Sequence, residues 1–429
     1  MKKLDFTIPV LGKQTLQLSS MSHEKDTWGT NYVKDDQYVI HDITVSGCSS
    51  TRENHQHNLI EKAGPREKIY FDPSGVRAGI VTCGGLCPGL NDVIRAIVMT
   101  LWYRYGTKQI SGFMYGYRGL LSKFALPVME LSPEIVSKIH NLGGTIIGAS
   151  RGYGDRVEEI VDSLERLKMN MLFIIGGDGT QKGAMDIVEE AKRRNLKISI
   201  IGIPKTIDND LNFVDKSFGF ETAVSRAVDA VSCAHVEAHD GVNGIGIVKV
   251  MGRESGFIAA NTALAINDVN YVLIPEVRFE LEGENGLFAN LERRLKRLNH
   301  AVILVAEGAG QEYMKDSKAV DESGNAKLND IGIFLKERIG EYFKKRKIDI
   351  NLKYIDPSYM IRSAPANSND SVYCTKLGAY AVHAAMAGKT GMIVSFINSH
   401  FVHVPIRLTV SGRKRVDPHQ EIWRAVIEA

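Results

Sequence analysis

Two uninterrupted apolar runs, Met171 to Ile175 and Ile198 to Ile203, constrain this chain more than any other feature. Unbroken short runs of this kind suit strands buried on both faces, as in a parallel sheet covered by helices. A helical pattern through Met185 to Ala191 separates them. The alternation extends in both directions: Arg77 to Thr82 contains Ala-Gly-Ile-Val, and Gly246 to Val250, Tyr271 to Ile274 and Ala301 to Ala306 follow, divided by helical pattern. Leu90, Val93, Ile94, Ile97, Val98 and Leu101 share one helical face, as do Val157, Ile160, Val161, Leu164 and Leu167. Ser132-Pro133-Glu134 reads as an N-cap with proline at the first helical position, and Gly143-Gly144 as the stop of that helix. The pattern predicts an α/β protein with two open lobes of mainly parallel sheet. No Pro-rich or Gly/Ser-rich linker divides the lobes, so an intimate interface with a ligand cleft is expected.

The chain has 429 residues, enough for two or three domains. With 53 Lys+Arg against 50 Asp+Glu, the net charge is only +3, so no strong basic field awaits nucleic acid or an anionic membrane. No apolar run is long enough to span a bilayer. Asp5 and Lys13 interrupt any signal-peptide core, and the last residues, Val-Ile-Glu-Ala, lack a Ser-Lys-Leu address. Cys48, Cys83, Cys87, Cys233 and Cys374 are odd in number and include no C-x-x-C pair, against a disulfide framework or a cysteine zinc site. A reduced, cytoplasmic protein is expected. The first ~75 residues lack sustained periodicity and read as an N-terminal extension ordered by packing on another surface, or as a tail.

Three segments that leave predicted strands carry chemistry. Gly84 to Gly89 has G-x-x-x-x-G spacing, but Leu90 and Asn91 stand where a P-loop has Lys and Ser/Thr. Small residues there still let backbone N–H groups approach an anion at a helix N-terminus. Gly176-Gly177-Asp178-Gly179-Thr180 adds a hard oxygen ligand, and a carboxylate beside a phosphate requires Mg²⁺ to bridge them. Pro204-Lys205-Thr206-Ile207-Asp208-Asn209-Asp210 sets two carboxylates at a strand's C-terminal end, where open α/β sheets bind ligands. One can act as general base on a hydroxyl while the other holds a metal or orients the first. Each segment alone is compatible with an ordinary turn. Together they propose phosphoryl transfer to an alcohol.

With Met251-Gly252-Arg253, these segments and their order resemble the 6-phosphofructokinase family from about Arg77 to Val404, about three quarters of the chain. The likeness is to the longer branch of protist, plant and spirochaete enzymes. It implies transfer of a phosphoryl group to the C1 hydroxyl of fructose 6-phosphate in glycolysis. Asp208 matches the general base, accompanied by Asp210, with Thr206 where the transferred group meets the sugar. Asp178 matches the Mg²⁺-holding acid. Gly84, Gly85, Gly177, Gly179 and Thr180 belong to the donor loops, with Arg151 and Gly152 reaching the donor phosphates. Arg253 would offset charge on the transferred group, Met251 and Gly252 would line the sugar, and Glu307 would accept from its hydroxyls. Lys353, Tyr359 and Arg362 fall where relatives bind the 6-phosphate, partly across subunits.

The resemblance also implies two Rossmann-like lobes with the active site in the cleft between them: residues 76–217 with 363–408 for the donor, and 218–362 with 409–429 for the sugar phosphate. Residues 1–75 form the extension, expected to wrap a neighbouring subunit of a homotetramer; a homodimer with shared active sites is the simpler assembly. Gly244 stands where many bacterial relatives place an arginine, and Tyr359 where they place a histidine. Arg95 is kept, but Met99 and Pro133 replace other effector arginines, so bacterial-type allosteric control is not expected.

In this family, pyrophosphate users usually have Asp at the position of Gly179 and Lys at that of Lys205; this chain pairs the nucleotide-like glycine with the pyrophosphate-like lysine. Steric exclusion is the harder constraint, so ATP is the expected donor and pyrophosphate the alternative. Another Gly-Gly-Asp-Gly-Thr kinase and a non-catalytic regulatory subunit are further readings. His55 and His57 read as solvated loop histidines, Cys83 and Cys87 as small loop residues, and Arg413-Lys414-Arg415 as a solvated or interfacial basic patch.

Overall fold

The computed structural model describes residues 4–17, 32–43, 58–314 and 328–429. His55, His57 and Cys48 lie outside the described residues. The chain divides into two compact units: residues 1–206, 211–218 and 365–413 form the first, and residues 207–210, 219–364 and 414–429 the second.

The first unit begins its main sheet with β1 (Arg77–Thr82), β2 (Gln109–Phe113), β3 (Val128–Glu130), β4 (Met171–Gly176) and β5 (Ser199–Pro204). The second unit holds β6 (Gly244–Val250), β7 (Tyr271–Leu273), β8 (His300–Ala306) and β9 (Asn351–Ile355). The chain then returns to the first unit for β10 (Met392–Ile397) and β11 (His400–Pro405). The helices that matter most are α1 (Leu90–Thr100), α2 (Val157–Arg166), α3 (Asp178–Arg193), α4 (Phe220–Asp240), α5 (Ile331–Lys345) and α6 (Ser368–Met386).

The first sheet has seven strands in the order β11-β10-β5-β4-β1-β2-β3, parallel except for its two edge strands. All six residues of β4 and all six of β5 are buried. Ile160, Val161 and Leu164 of α2 and Ala184 and Ile187 of α3 pack on Leu172, Ile174 and Ile200. From β1 the chain moves to β2 on one side and later to β4 on the other. The strand order therefore reverses at β1 and β4, the kind of crevice where open sheets bind ligands.

The second unit's sheet, β7-β8-β6-β9, is wholly parallel. Successive strand residues point to opposite faces, and both faces are covered. Val248, Val250, Val302 and Leu304 meet Ala227, Val231 and Ala234 of α4, while Ile245, Ile247, Ile303 and Val305 share a core with Leu335, Ile339 and Phe343 of α5. Gly244 lies so close to the end of α4 that a Cβ there would stand 1.9 Å from the Ala238 carbonyl oxygen. The helix–strand packing therefore demands glycine where the bacterial pattern has arginine.

Two sequence expectations change. The helix expected between Ser132 and Gly143 is a single turn, Pro133–Val136, followed by a 3₁₀ turn over Ile139–Asn141. The Ser137 hydroxyl donates back to the Glu134 carbonyl, and Asn91 captures the next stretch by donating to Leu142 O and accepting from Ile146 N–H. Conversely, α3 starts at Asp178, well before Met185, which brings Gly179 and Thr180 into its first turn.

The described parts of residues 1–75 belong with the first unit of their own chain. Strand Leu59–Glu61 carries Ile60 into the core, and Ala63 N–H bonds Phe401 O. Glu61 is the polar anchor, with Lys389 Nζ, Arg66 Nη2 and His403 Nδ1 at 2.6, 2.6 and 3.0 Å. Burial opposes its ionisation, but His403 and Lys389 outweigh that and hold its carboxyl below the usual range. Burial pushes His403 down to about 4, so at neutral pH the ring is an uncharged hydrogen-bond partner and the positive charge comes from Lys389 and Arg66.

Candidate active site

In the first unit, the tips of β1, β4 and β5 lead into the three segments singled out in the sequence, the first two expected to hold the donor and the third to carry the general base; residues 207–210 of the third belong to the second unit. Lys205, directly after β5, is 8% exposed and sends its ammonium to the Gly85 carbonyl at 2.8 Å. A Cβ on Gly84 would meet that ammonium at 3.1 Å, and one on Gly85 would meet the Arg151 guanidinium at 3.7 Å. Gly84 N–H bonds Ser150 O, which ties the loop to the segment carrying Arg151 and Gly152. Gly84, Gly85, Arg151 and Lys205 thus form one basic, backbone-rich cluster, suited to an anion. Cys83 beside it is buried, and desolvation pushes its thiol up to about 12, so it is a small packing residue rather than a thiolate.

Asp178 occupies the first turn of α3, where the helix dipole favours negative charge. Its Oδ2 is 2.8 Å from Lys182 Nζ and 3.9 Å from Arg413 Nη2. Gly177 passes the Lys205 carbonyl closely enough to leave 3.2 Å for a Cβ. Gly179, by contrast, opens onto free space. Thr180 O accepts from Tyr117 OH at 2.7 Å, and Thr206 O from Ser217 Oγ at 2.6 Å, so both segments are held through their backbones.

In the second unit, Asp208 and Asp210 join residues from three strand tips. Arg253 follows β6, Glu307 follows β8, and Arg362 ends the short helix Ser358–Arg362 after β9. Gly252 adopts φ +128°, a left-handed value that favours glycine, and its carbonyl accepts from Gly308 N–H at 3.1 Å. Together with the bond from Glu307 N–H to Val250 O, this locks Met251-Gly252-Arg253 against Glu307. Met251 is fully buried and belongs to the core cluster that includes Val250, Ile258 and Ala306.

The Asp208 Oδ1 atom is buried. Desolvation is the largest influence on its carboxyl, followed by repulsion from Asp210 and Glu307. Arg362 and the Arg253 backbone N–H offset part of this, and the group is pushed up to about 7. A carboxylate poised near neutrality beside the Arg362 guanidinium and the Arg253 backbone N–H is equipped to take a proton from a neutral donor. Lys353 lies on β9 and is exposed, as is Tyr359, at 82%.

Two contributors escaped the sequence reading. Arg413 is not merely part of a solvated patch, since its guanidinium faces Asp178; Arg415 pairs with Glu254 at 2.6 Å. Lys249 is the other: a lysine inside an otherwise apolar strand is the signal that points to it.

Comparison with known proteins follows the same lines. The family described as phosphofructokinase matches residues 77–385. The chain is 52% identical to the ATP-dependent 6-phosphofructokinase of Borreliella burgdorferi, covering 100% of this chain and 97% of that protein. It is 48% identical to the ATP-dependent 6-phosphofructokinase of Trypanosoma brucei brucei, over 86% of this chain and 76% of the relative. Among solved structures, a pyrophosphate-dependent phosphofructokinase from Marinobacter aquaeolei superposes with a TM-score of 0.67 at 19% identity, covering 82% of this chain and 91% of that one. At that identity the likeness speaks for the fold alone.

Proposed function

This chain belongs to the phosphofructokinase family, and on that premise we propose how its residues divide the transfer of the γ-phosphoryl group of ATP to the C1 hydroxyl of fructose 6-phosphate. The activity is that of an ATP-dependent 6-phosphofructokinase. The observation that carries the residue assignment is the Asp208 cluster: a partly buried carboxylate with Oδ1 enclosed, raised to about 7, grouped with Asp210, Glu307, Arg253 and Arg362.

Asp208 takes the proton from the C1 hydroxyl as that oxygen attacks phosphorus. Asp210 and Glu307 keep its basicity high, and Glu307 accepts from sugar hydroxyls. Arg253 balances charge on the group in flight, while Thr206 guides it and Met251 and Gly252 shape the sugar's seat. Lys353, Tyr359 and Arg362 hold the 6-phosphate. Gly84, Gly85, Arg151, Gly152, Gly177, Gly179 and Thr180 cradle the donor, and Lys205 supplies positive charge beside it. In phosphoryl transfer, positioning and charge stabilisation dominate.

Mg²⁺ fits the donor set. It commonly takes one or two carboxylates and completes its shell with phosphate oxygens and water. Asp178 offers one carboxylate in a helix's first turn. Among the described residues no group of three or more His, Cys, Asp or Glu forms a protein-only metal cage. Asp178 would hold the ion, directly or through water, and the ion would neutralise donor charge.

No described helix is long and apolar enough to cross a membrane, and we assign the enzyme to the cytoplasm. A homotetramer, or a homodimer with shared active sites, is the assembly we favour. Tyr359 and Met360, 82% and 76% exposed on the helix that carries Arg362, suit a subunit contact.

A coupled assay with fructose 6-phosphate, Mg²⁺ and ATP tests the reading. Because only ionised Asp208 can accept a proton, kcat/KM for the sugar should rise about tenfold per pH unit below the Asp208 value and level off above about 7. A profile flat from pH 5.5 to 8 counts against Asp208 as the base. Arg362→Ala should raise KM for fructose 6-phosphate by about 10- to 100-fold, because a fixed phosphate charge is best met by guanidinium. A sugar analogue without the phosphate should discriminate poorly between that variant and the parent. Clear discrimination removes Arg362 from the phosphate site.

A further inference from the structure

The sugar-phosphate residues leave three adjacent strand tips, and one largely enclosed lysine ties those tips together. Lys249 lies near the end of β6, the strand flanked by β8 and β9, with its side chain only 11% exposed. Its Nζ is 2.7 Å from Asp330 Oδ2 and 2.9 Å from Asp356 Oδ2. The parallel register pairs Val248 with Ile355, so the Lys249–Asp356 bond continues the β6–β9 ladder one step beyond its last backbone rung.

Asp356 in turn starts the helix that carries Tyr359 and Arg362. Its Oδ1 accepts from Ser358 N–H at 3.0 Å and from the Ser358 hydroxyl at 2.5 Å. Asp330 accepts from Tyr354 OH at 3.0 Å, next to Lys353, and caps α5 through the N–H groups of Gly332 and Ile333. Gln311 joins this to the third tip: it donates to Glu307 O at 2.7 Å and accepts from Asn329 N–H at 3.1 Å. Arg253, Glu307, Lys353 and Arg362 therefore all rest on segments fixed by one network.

A buried ion pair is weak support for stability, since apolar replacements of similar volume are often neutral or stabilising. What such a network does well is fix position. We propose that Lys249 is a positioning residue for the sugar phosphate, setting the spacing of the segments that carry Glu307, Lys353 and Arg362. The inference rests on the acceptor-site assignment above. Burial works against the charge on Lys249, Asp330 and Asp356, yet their mutual bonds outweigh it. The lysine is raised above its ordinary value and both carboxyls are held below theirs. The network thus keeps its charges across the working pH range, and its effect does not follow the Asp208 titration.

Steady-state kinetics of Lys249→Met test this. KM for fructose 6-phosphate should rise about 10- to 100-fold, while kcat stays within about threefold and KM for ATP within about twofold. That shift should be the same at pH 6.5 and pH 8, and Lys249→Arg should recover most of it. If Lys249→Met does not fold, Asp356→Asn, which keeps the Lys249–Asp330 pair, should give the same split. A folded variant with an unchanged sugar KM overturns the proposal, as do both KM values rising together or an arginine no better than methionine. Failure of both variants to fold also overturns it, because the network is then structural. A parent protein that does not phosphorylate fructose 6-phosphate at all condemns the acceptor assignment instead, before any variant is made.

Discussion

Asp208→Asn is expected to turn over about 100- to 10,000-fold more slowly than the parent, with sugar affinity within about threefold. The substitution keeps the shape and the partly buried position but removes the proton acceptor. A sugar hydroxyl is a poor nucleophile at neutral pH, so the full weight of general-base catalysis falls on this one group. Stability should move the opposite way. Desolvation, Asp210 and Glu307 raise the folded-state value from 3.8 to about 7, so the folded protein binds a proton there more tightly than the unfolded chain. Ionising the group therefore costs stability as pH rises from about 4 to 7, and that cost is fully present above 7. The asparagine variant escapes it. Thermal melts should show its advantage over the parent growing from pH 4 to pH 7 and then holding. Near-normal turnover, or a stability gap that shrinks as pH rises, removes Asp208 from the role assigned here.

The second large effect concerns the donor. Gly179→Asp is expected to lower kcat/KM for ATP by about 100-fold or more, a loss of about 3 kcal/mol of transition-state stabilisation. The geometry makes this a clean experiment, because a Cβ at Gly179 meets nothing within 4 Å and the fold need not adjust. Any loss then comes from a new carboxylate set beside the polyphosphate, one residue from Asp178. Pyrophosphate, which lacks the nucleotide's α-phosphate, should suffer less. The ratio of activities with the two donors, measured in parent and variant, checks the claim. Unaffected ATP kinetics in a folded variant defeat it.

Much of the architecture was legible because it rests on local pattern. Runs such as Met171 to Ile175 can only be satisfied by burial on both faces, and the small and acidic residues after them mark the ends of strands. The association of Lys205 with Gly85, and of Asp208 with Arg253, Glu307 and Arg362, follows from strand order, which periodicity does not encode. The helix expected from Pro133 failed for a related reason: Asn91, more than forty residues earlier, competes for the backbone of residues 142–146. Arg413 reads in sequence only as part of a solvated or interfacial patch, because a charge run looks the same whether it faces water or a carboxylate. Lys249, Asp330 and Asp356 are more than a hundred residues apart end to end. Nothing local links them until β6 and β9 are known to be neighbours.

Glu61 changes how the N-terminal extension can be studied. A shortened chain beginning near Pro73 loses more than an arm. It deprives Lys389 of its carboxylate, takes Arg66 away as well, and uncovers the β11 edge that Ala63 now occupies. Poor behaviour of such a protein would therefore report an electrostatic injury within one polypeptide before it reported anything about association, and a Glu61→Gln control is needed to separate the two.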